Sequence, residues 1–389
     1  MIVKGLKIKN FRNIKSADFL FSDKTNIISG SNAQGKTNLM EAISTAIEKS
    51  FRTQKISELI CESISEAAQD NITASKEKRK CELKLSFFSD RYPDKENVID
   101  CSLAHNKITR KINSVSYKDA LQLYPQLKTI VFIPEDLYTI KGNPDKRREL
   151  ADETADMMNK IHHDRTQAYL RALKQKNTFL SNLQDGKITD NLRLQLIIWN
   201  EELAKAGVNV MCGRLKYFTL LSKYTCEYYK ELNKFGEVLE MEYVSSIMEN
   251  ISFDLPDTEL MYKIYLEKLN GHLDKELIVG HTLVGVHRDD IDFRINGKKA
   301  RDYASQGQIR SIAVAVRLAQ AKMFGEKWGE APVVILDDVL SELDEFRRDF
   351  ILRHIVDSQV FITGCNDSDF EGIGDGFRWK AVNGEFEKY

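Results

Sequence analysis

The sequence predicts an α/β fold in which a mixed β-sheet head carries an antiparallel β subdomain and an inserted α-helical arm or lid. Three observations predict it. A short apolar strand at Thr25–Ser29 leads through a glycine-containing loop into a helix. Residues 81–88, 98–103 and 107–112 alternate apolar and polar side chains, as antiparallel strands do. Residues 147–234 contain few glycines, no proline and long helical patterns.

Length and charge set the first limits on the protein. At 389 residues the chain exceeds what one hydrophobic core usually supports, so we expect more than one domain. We predict a first part of the head at residues 1–145, a helical arm at residues 146–277 and a second part of the head at residues 278–389. The 57 basic residues nearly cancel the 58 acidic ones, so any contact with nucleic acid has to come from a local basic patch.

Cysteine usage and hydropathy indicate where the chain works. The six cysteines include no C-x-x-C pair, which is typical of reduced thiols in the cytoplasm. Lysines interrupt the first ten residues, so we expect no signal peptide. No run of about 18 apolar residues is present, and we therefore expect no membrane contact.

The glycine-containing loop after the first apolar strand, residues 30–37, fits the phosphate-loop pattern G-x-x-x-x-G-K-[ST]. A strand, such a loop and a helix aim successive backbone N–H groups at one point, where phosphates can bind. Lys36 would reach the β and γ phosphates, and the Thr37 hydroxyl would hold Mg²⁺. The remaining predicted phosphate-binding residues are Gly30, Ser31, Asn32, Ala33, Gln34, Gly35 and Asn38. The alternative is a glycine turn before an ordinary helix.

A second candidate element lies near the other end of the chain. Val333–Leu336 is entirely apolar and is followed by Asp337 and Asp338, which predicts a buried parallel strand with two carboxylates at its carboxyl end. We expect Asp337 to hold Mg²⁺ through its water shell and Asp338 to orient the attacking water. With Lys36 these residues form the predicted catalytic set. The alternative is a strand that ends in a solvated acidic turn.

Residues 305–308 (Ser-Gln-Gly-Gln) precede a predicted helix whose N-cap is Ser305. The Ser305 hydroxyl, the Gly307 backbone, Gln308 and the helix N-terminus together form a second candidate anion site. We predict that this site covers the γ phosphate bound by a second subunit, so that ATP would hold a dimer together. The alternative is a simple N-capped helix.

The complete set of motifs resembles the RecF family of bacterial recombination-repair ATPases, which belongs to the ABC-type class shared with the chromosome-maintenance (SMC) proteins. The matching residues are 11–13, 30–37, 132–137, 141–142, 144, 147–148, 285, 287–290, 305–308 and 336–344. The match runs from residue 6 to about residue 363. The run 287–290 (His-Arg-Asp-Asp) combined with residues 305–308 is specific to the family.

The resemblance implies an ABC-type ATPase head and a slow, DNA-stimulated ATPase that uses ATP and Mg²⁺. It also implies an ATP-dependent homodimer at the nucleoid that binds duplex and gapped or junction DNA. Such a protein works with RecR and RecO to load RecA.

The resemblance also assigns roles to single residues. By this resemblance, Lys36 binds phosphate and Thr37 binds the metal, Asp337 ends the acidic strand, and Asp338 is the catalytic carboxylate. Ser305 belongs to the signature that acts on the nucleotide of the second subunit, and Asp344 lies in the loop that faces the dimer partner. Glu135 lies where the class has its metal-sensing loop. The class often has a histidine after the last core strand, but residues 363–366 (Thr-Gly-Cys-Asn) contain none.

Three further expectations concern DNA and the residues around 287–290. The strongest local basic cluster consists of Lys141, Lys146, Arg147 and Arg148, with residues 76–80 second, and either could contact DNA phosphates or be a solvated face. We interpret His287, Asp289 and Asp290 as a hydrogen-bonded turn rather than a metal site. Residues 278–290 are predicted to form a strand.

Two other classes of protein share part of this pattern. The ATPase subunit of a membrane transporter has the same loop and acidic strand, but it usually carries a Leu-Ser-Gly-Gly-Gln signature and a later histidine, and it lacks the arm. A structural SMC-like protein would need a far longer coiled coil than this arm provides.

Overall fold

The structure is a computed structural model. It describes the chain except residues 54, 62–79, 91, 105, 117–126, 184–188, 234–235, 249–256, 367–369, 371–372 and 375. The chain forms two compact units. The first contains Met1–Pro134 and Gln320–Tyr389, and the second is Glu135–Ala319. The predicted arm at residues 146–277 lies within the second unit, which also contains residues 278–319. The three-part division of the chain stays a prediction.

The strands occur in both units. In chain order they are β1 (Ile2–Phe11), β2 (Ile14–Leu20), β3 (Thr25–Ser29), β4 (Lys80–Ser89), β5 (Tyr92–Ala104), β6 (Lys107–Ile112), β7 (Val115–Ser116), β8 (Thr129–Phe132), β9 (Leu239–Val244), β10 (Asp290–Ile295), β11 (Lys298–Lys299), β12 (Val333–Leu336), β13 (Val360–Gly364), β14 (Gly376–Val382) and β15 (Glu385–Lys388).

The helices are concentrated in the second unit. In chain order they are α1 (Lys36–Ile47), α2 (Leu137–Lys141), α3 (Pro144–Met158), α4 (Ile161–Leu183), α5 (Asp190–Leu232), α6 (Thr258–Gly271), α7 (Leu273–Val279), α8 (Ala300–Tyr303), α9 (Gln306–Trp328) and α10 (Glu345–His354). Short 3₁₀ turns occupy Ile56–Leu59, Pro134–Asp136 and Leu340–Glu342.

The first unit contains two six-stranded sheets. One has the strand order β15-β14-β3-β13-β12-β8, and all its pairs are parallel except β14 with β15. Strands β3 and β12 therefore end at the same edge, on either side of β13, because the carboxyl ends of parallel strands point the same way. This topology brings the phosphate loop and the acidic strand together although about 300 residues separate them in sequence.

The second sheet of this unit is the predicted antiparallel subdomain, in the order β2-β1-β4-β5-β6-β7. The predicted pairing of residues 81–88, 98–103 and 107–112 is confirmed, because β4 pairs with β5 and β5 with β6. Strand β4 buries alternate side chains, including Leu83, Leu85 and Phe87. These side chains join one core with the apolar face of α1, for example Leu39 and Ile43.

The second unit is mainly helical and contains the three-stranded antiparallel sheet β11-β10-β9. Two ion pairs connect its helices, one partly and one fully buried. Arg214 of α5 donates two hydrogen bonds to Asp152 of α3, at 2.7 and 2.8 Å. Lys176 of α4 lies 2.6 Å from Glu276 of α7, and both side chains are fully buried. Breaking the Lys176–Glu276 pair would leave a buried charge without its partner, so this contact fixes α4 relative to α7.

The predicted strand over residues 278–290 is wrong. Helix α7 continues to Val279 and ends at Gly280, which has φ of 75° and donates its N–H to the Glu276 carbonyl. An irregular loop follows, and β10 begins only at Asp290. Glycine just after a helix is a common stop signal because it adopts positive φ without strain. The apolar pair Ile278 and Val279 suggested a strand, yet both side chains are exposed.

Candidate active site

The loop between β3 and α1 has a backbone that only glycine allows at two positions. Gly30 has φ of 148°, and a Cβ there would lie 2.6 Å from the Ala381 carbonyl oxygen. Gly35 has φ of 105°, and its Cβ would approach the Asn13 side chain to 2.9 Å. A side chain at either position would clash with fixed neighbours and strain the backbone. The loop is therefore held in the open curve that a phosphate group needs.

The Lys36 side chain curls back into this loop. It is only 3% exposed, and its Nζ donates to the carbonyl oxygens of Gly30 at 2.7 Å and Ser31 at 3.1 Å. The same Nζ lies 3.4 Å from Cys365 Sγ, and this thiol is 2.9 Å from Asn32 Oδ1. One positive charge is thus placed within the loop, and it is available to an anion that replaces the carbonyls.

Thr37 and Asp337 meet at the shared edge of the parallel sheet. The Thr37 hydroxyl donates to Asp337 Oδ1 at 3.1 Å. Asp337 is 4% exposed, and burial together with the neighbouring charge of Asp338 raises its pKa to about 6, although hydroxyls from Thr363 and Thr37 oppose the rise. The Asp337 carboxylate and the Thr37 hydroxyl together offer hard oxygen ligands and negative charge for a cation. These residues fit Mg²⁺, which prefers such ligands.

Asp338 is held by a residue that the motif analysis did not assign. Its N–H donates to Thr363 Oγ1 at 2.8 Å, and the Thr363 hydroxyl in turn lies 2.8 Å from Asp337 Oδ1. Asp338 has φ of 51°, which is unusual for a residue other than glycine. The signal in the sequence was a single hydroxyl at the end of the apolar strand β13. Thr363 therefore positions both aspartates.

A cavity of about 510 Å³ opens over the phosphate loop. Its lining residues are Ser29, Gly30, Ser31, Gln34, Cys365, Asn366, Lys380, Ala381 and Val382. Gln34 is tied to the C-terminal hairpin, because its Oε1 accepts the Asn383 N–H at 2.6 Å and its carbonyl accepts the Gly384 N–H at 2.9 Å. Cys365 and Asn366 thus line the cavity at the end of β13.

Ser305 caps helix α9 in the second unit, as predicted. Its hydroxyl accepts the Gln308 N–H at 3.2 Å, and Gln308 Oε1 accepts the Ser305 N–H at 2.7 Å, which makes a reciprocal capping box. Ser305 is exposed, and Gln308 also donates to Glu237 at 2.7 Å. Gly307 is half-buried in the first turn. The role of these residues toward a second subunit stays a prediction.

The roles of two other predicted site residues also remain predictions. Glu135 is an exposed residue at the start of the second unit, and its role as a metal ligand is untested. Asp344 caps α10 by accepting the Arg347 N–H at 2.9 Å, and its role at a dimer interface is likewise untested.

The predicted DNA-contact cluster divides into buried and exposed members. Arg147 is 2% exposed and makes a bidentate pair with Asp290 at 2.6 and 2.9 Å. It also donates to the carbonyls of Ile140 and Gly142, so its guanidinium is engaged within the fold, and its contact with DNA stays a prediction. Lys141 and Lys146 are exposed. Residues 76–79 of the second basic cluster lie outside the described residues.

Residues 287–290 form a hydrogen-bonded turn. His287 Nδ1 lies 2.7 Å from the Tyr169 hydroxyl, and burial lowers the pKa of His287 to about 4. Asp289 accepts from the Tyr243 hydroxyl at 2.6 Å and from the Ser246 N–H at 2.9 Å. Within the part of the chain that the structure describes, no group of three or more His, Cys, Asp or Glu side chains is arranged to hold a metal ion.

The sequence comparisons identify the family. Residues 2–383 match the family model described as the RecF/RecN/SMC N terminal domain. The chain is 33% identical over 378 residues to the DNA replication and repair protein RecF of Ruminiclostridium cellulolyticum, covering 96% of this chain and 95% of that protein. The chain belongs to the RecF family. It is also 34% identical over 380 residues to RecF of Lactobacillus acidophilus, covering 96% of this chain and 94% of that protein.

Solved structures agree with the RecF assignment. A structure of the recombination mediator protein RecF with ATP matches with a TM-score of 0.84 at 29% identity, covering 100% of this chain and 97% of that chain. The Smc head domain of Pyrococcus furiosus matches with a TM-score of 0.53 at 14% identity, which shows a shared fold only. The predicted fold class, an ABC-type ATPase head with inserted helices, is confirmed. Among the described helices, none is both long and apolar enough to cross a bilayer.

Proposed function

We propose that this RecF-family protein hydrolyses ATP to ADP and phosphate with Mg²⁺ as cofactor. One observation carries the proposal: the Thr37 hydroxyl and Asp337 meet at 3.1 Å beside the loop that holds the Lys36 ammonium. A phosphate cradle, a metal-binding pair and a further carboxylate are the parts that phosphoryl transfer requires.

Each side chain has a distinct task in this reaction. Lys36 exchanges its two carbonyl acceptors for phosphate oxygens, and Thr37 with Asp337 would hold the metal. Mg²⁺, when bound, supplies positive charge that neutralises the phosphate oxygens. Asp338 orients the attacking water, and Thr363 keeps both aspartates in place. Most of the catalysis then comes from positioning and electrostatics.

We further propose that the protein acts in DNA replication and repair, in the cytoplasm at the nucleoid. Its RecF relatives are named for that process, and one solved RecF structure is described as part of the RecFOR pathway. In this proposal the protein binds duplex and gapped or junction DNA, its slow ATPase is stimulated by DNA, and it works with RecO and RecR to load RecA.

The same proposal includes an ATP-dependent homodimer. Ser305, Gly307 and Gln308 would cover the γ phosphate in the partner's cradle. The exposed Ser305 hydroxyl and the helix N-terminus behind it are suited to bind an anion.

The test is ATP turnover with and without duplex DNA, together with size-exclusion chromatography. Lys36→Met should abolish ATP binding, whereas Lys55→Met, which alters an exposed lysine of the same unit, should not. Asp338→Asn should bind ATP without hydrolysing it and accumulate as a dimer. An Asp338→Asn protein that remains monomeric in saturating ATP would contradict the dimer. Turnover that persists in Lys36→Met would contradict the assigned site.

A further inference from the structure

The loop at residues 280–289 is irregular yet fixed at almost every residue. The Thr282 N–H donates to Asn177 Oδ1 at 2.8 Å, and the Val286 N–H donates to the Tyr265 hydroxyl at 3.0 Å. Further contacts hold Leu283 to Glu276 at 2.9 Å, Gly285 to Ser246 at 2.9 Å and the Val286 carbonyl to Arg214 at 2.7 Å. The partners come from α4, α5, α6, α7 and the segment after β9. The conformation of this loop is therefore determined by the whole unit.

The polar side chains of His287 and Asp289 turn inward, whereas those of His281 and Arg288 are exposed. His287 and Asp289 contact buried tyrosines, and burial raises the pKa of Asp289 and lowers that of His287. Burying an imidazole and a carboxylate costs free energy of folding, and the hydrogen bonds that hold this loop in one conformation offset that cost. Arg288 lies between them and is exposed.

Arg288 is presented to solvent on a rigid base. The backbone N–H of Arg288 donates to the Gly285 carbonyl at 2.7 Å. Gly285 has φ of 139°, and a Cβ at this position would lie only 2.5 Å from the Tyr169 hydroxyl. Across the residues that the structure describes, the Arg288 side chain makes a single hydrogen bond, a long one of 3.5 Å to the Thr282 carbonyl. The guanidinium therefore keeps most of its five N–H donors for a ligand.

A second arginine contacts the next residue of the turn. Arg148 donates to the Asp289 carbonyl at 2.7 Å and also pairs with the exposed Asp145. Burial lowers the pKa of His287 most, and the charges of Arg288 and Arg148 lower it further. Arg148 connects the turn to α3, whose first turn carries the exposed Lys146.

We propose that Arg288, with Arg148 bound to the carbonyl of the neighbouring Asp289, binds a phosphate group of a ligand, and that the ligand is the DNA backbone. A planar guanidinium binds phosphate with a fork of two hydrogen bonds, and the backbone that carries this one is already fixed. The DNA assignment rests on the proposed function. A nucleotide phosphate offers the same chemistry, and the experiment distinguishes the two sources.

The experiment measures the affinity of Arg288→Ala for a fluorescent DNA duplex over a series of salt concentrations, and for a fluorescent ATP analogue without DNA. Arg193→Ala is the matched control, since it removes an exposed arginine of the same unit that pairs with Asp274. Arg288→Lys keeps the charge and loses the fork. Melting temperatures of all variants check that the fold is intact.

If DNA supplies the phosphate, Arg288→Ala binds duplex roughly fivefold more weakly, and the slope of log affinity against log salt becomes shallower by about one. Arg288→Lys then restores the slope, and Arg193→Ala behaves like the unaltered protein. If a nucleotide supplies the phosphate, only the affinity for the ATP analogue falls.

Unchanged affinity of Arg288→Ala for both ligands would overturn the inference. If the unaltered protein fails to bind duplex at all, the proposed DNA function is wrong. The ATP-analogue measurement then decides whether Arg288 binds phosphate.

Discussion

The Thr363 hydroxyl lies 2.8 Å from Asp337 Oδ1 and accepts the N–H of Asp338 at the same distance. One side chain at the end of β13 thus holds both carboxylates that end the neighbouring strand β12. Because Asp338 has a positive φ, its backbone needs such a contact to keep the carboxylate in one orientation. The position of the two aspartates therefore depends on the register between two parallel strands.

Thr363→Val should lower kcat for ATP by about 10–100-fold, which is typical when a residue that orients functional ligands is lost. The affinity for ATP should stay nearly constant, because the contacts of Lys36 do not involve Thr363. Thr363→Ser keeps the hydroxyl and should restore most of the activity. Steady-state turnover and equilibrium ATP binding measure the two quantities. Equal kcat for the valine variant and the unaltered protein would contradict the positioning role.

Asp337→Asn should stabilise the metal-free protein at neutral pH while abolishing hydrolysis. Burial raises the pKa of Asp337 from 3.8 to about 6, so the folded state holds this proton more tightly than the unfolded chain. Stability from this group is therefore full below 3.8 and falls as the pH rises to about 6. Removing the charge should add up to about 3 kcal/mol to the free energy of unfolding at pH 7.5.

Urea unfolding of Asp337→Asn in EDTA tests this prediction, with the same measurement at pH 4 as the control. The difference between the variant and the unaltered protein should shrink at pH 4, where the aspartate is mostly protonated. A variant that is less stable at pH 7.5 would show that the ionised carboxylate is satisfied without metal.

The His287 side chain should make the protein less stable in mild acid. Burial lowers the pKa of His287 from 6.5 to about 4, so the folded state keeps the imidazole neutral. Stability from this group is present above 6.5 and is lost as the pH falls toward 4, by up to about 3 kcal/mol. His287→Gln cannot titrate, and its free energy of unfolding should decline less between pH 6.5 and pH 4.

Other groups titrate near this window, and the comparison has to separate them. Burial alone would raise the pKa of Asp152, but His162 and Arg214 hold it at about 2, so its effect on stability appears only below 3.8. Protonation of Asp337 raises stability as the pH falls, and it does so equally in His287→Gln and in the unaltered protein. Parallel curves for His287→Gln and the unaltered protein from pH 4 to 7 would contradict the prediction.

Arg147→Met should destabilise the fold by about 3–5 kcal/mol, because it leaves Asp290 without its bidentate partner. Lys146→Met changes the exposed neighbour and should alter stability by less than about 0.5 kcal/mol. Chemical denaturation of both variants makes the comparison. If Arg147→Met is as stable as the unaltered protein but binds DNA more weakly, the structural role is wrong and Arg147 contacts DNA.

Short consecutive patterns predicted much of this protein. The phosphate loop, the apolar strands β3 and β12 and the Ser305 cap all depend on residues within a few positions of one another. The periodicity of residues 81–112 likewise predicted the antiparallel subdomain, since side chains alternate across a sheet whatever lies elsewhere in the chain. The strand predicted over residues 278–290 failed because its apolar pattern ignored Gly280 as a helix stop.

The sequence alone determined the nucleotide-binding elements and the fold class. The tertiary structure decided that Thr363 joins the two aspartates, that Arg147 is buried against Asp290 and that only Arg288 of the 287–290 turn faces solvent. These contacts join residues 25 to 143 positions apart. A local pattern gives a charged residue its chemistry, but burial and partners come from distant segments, and they determine whether the charge binds a ligand or stabilises the fold.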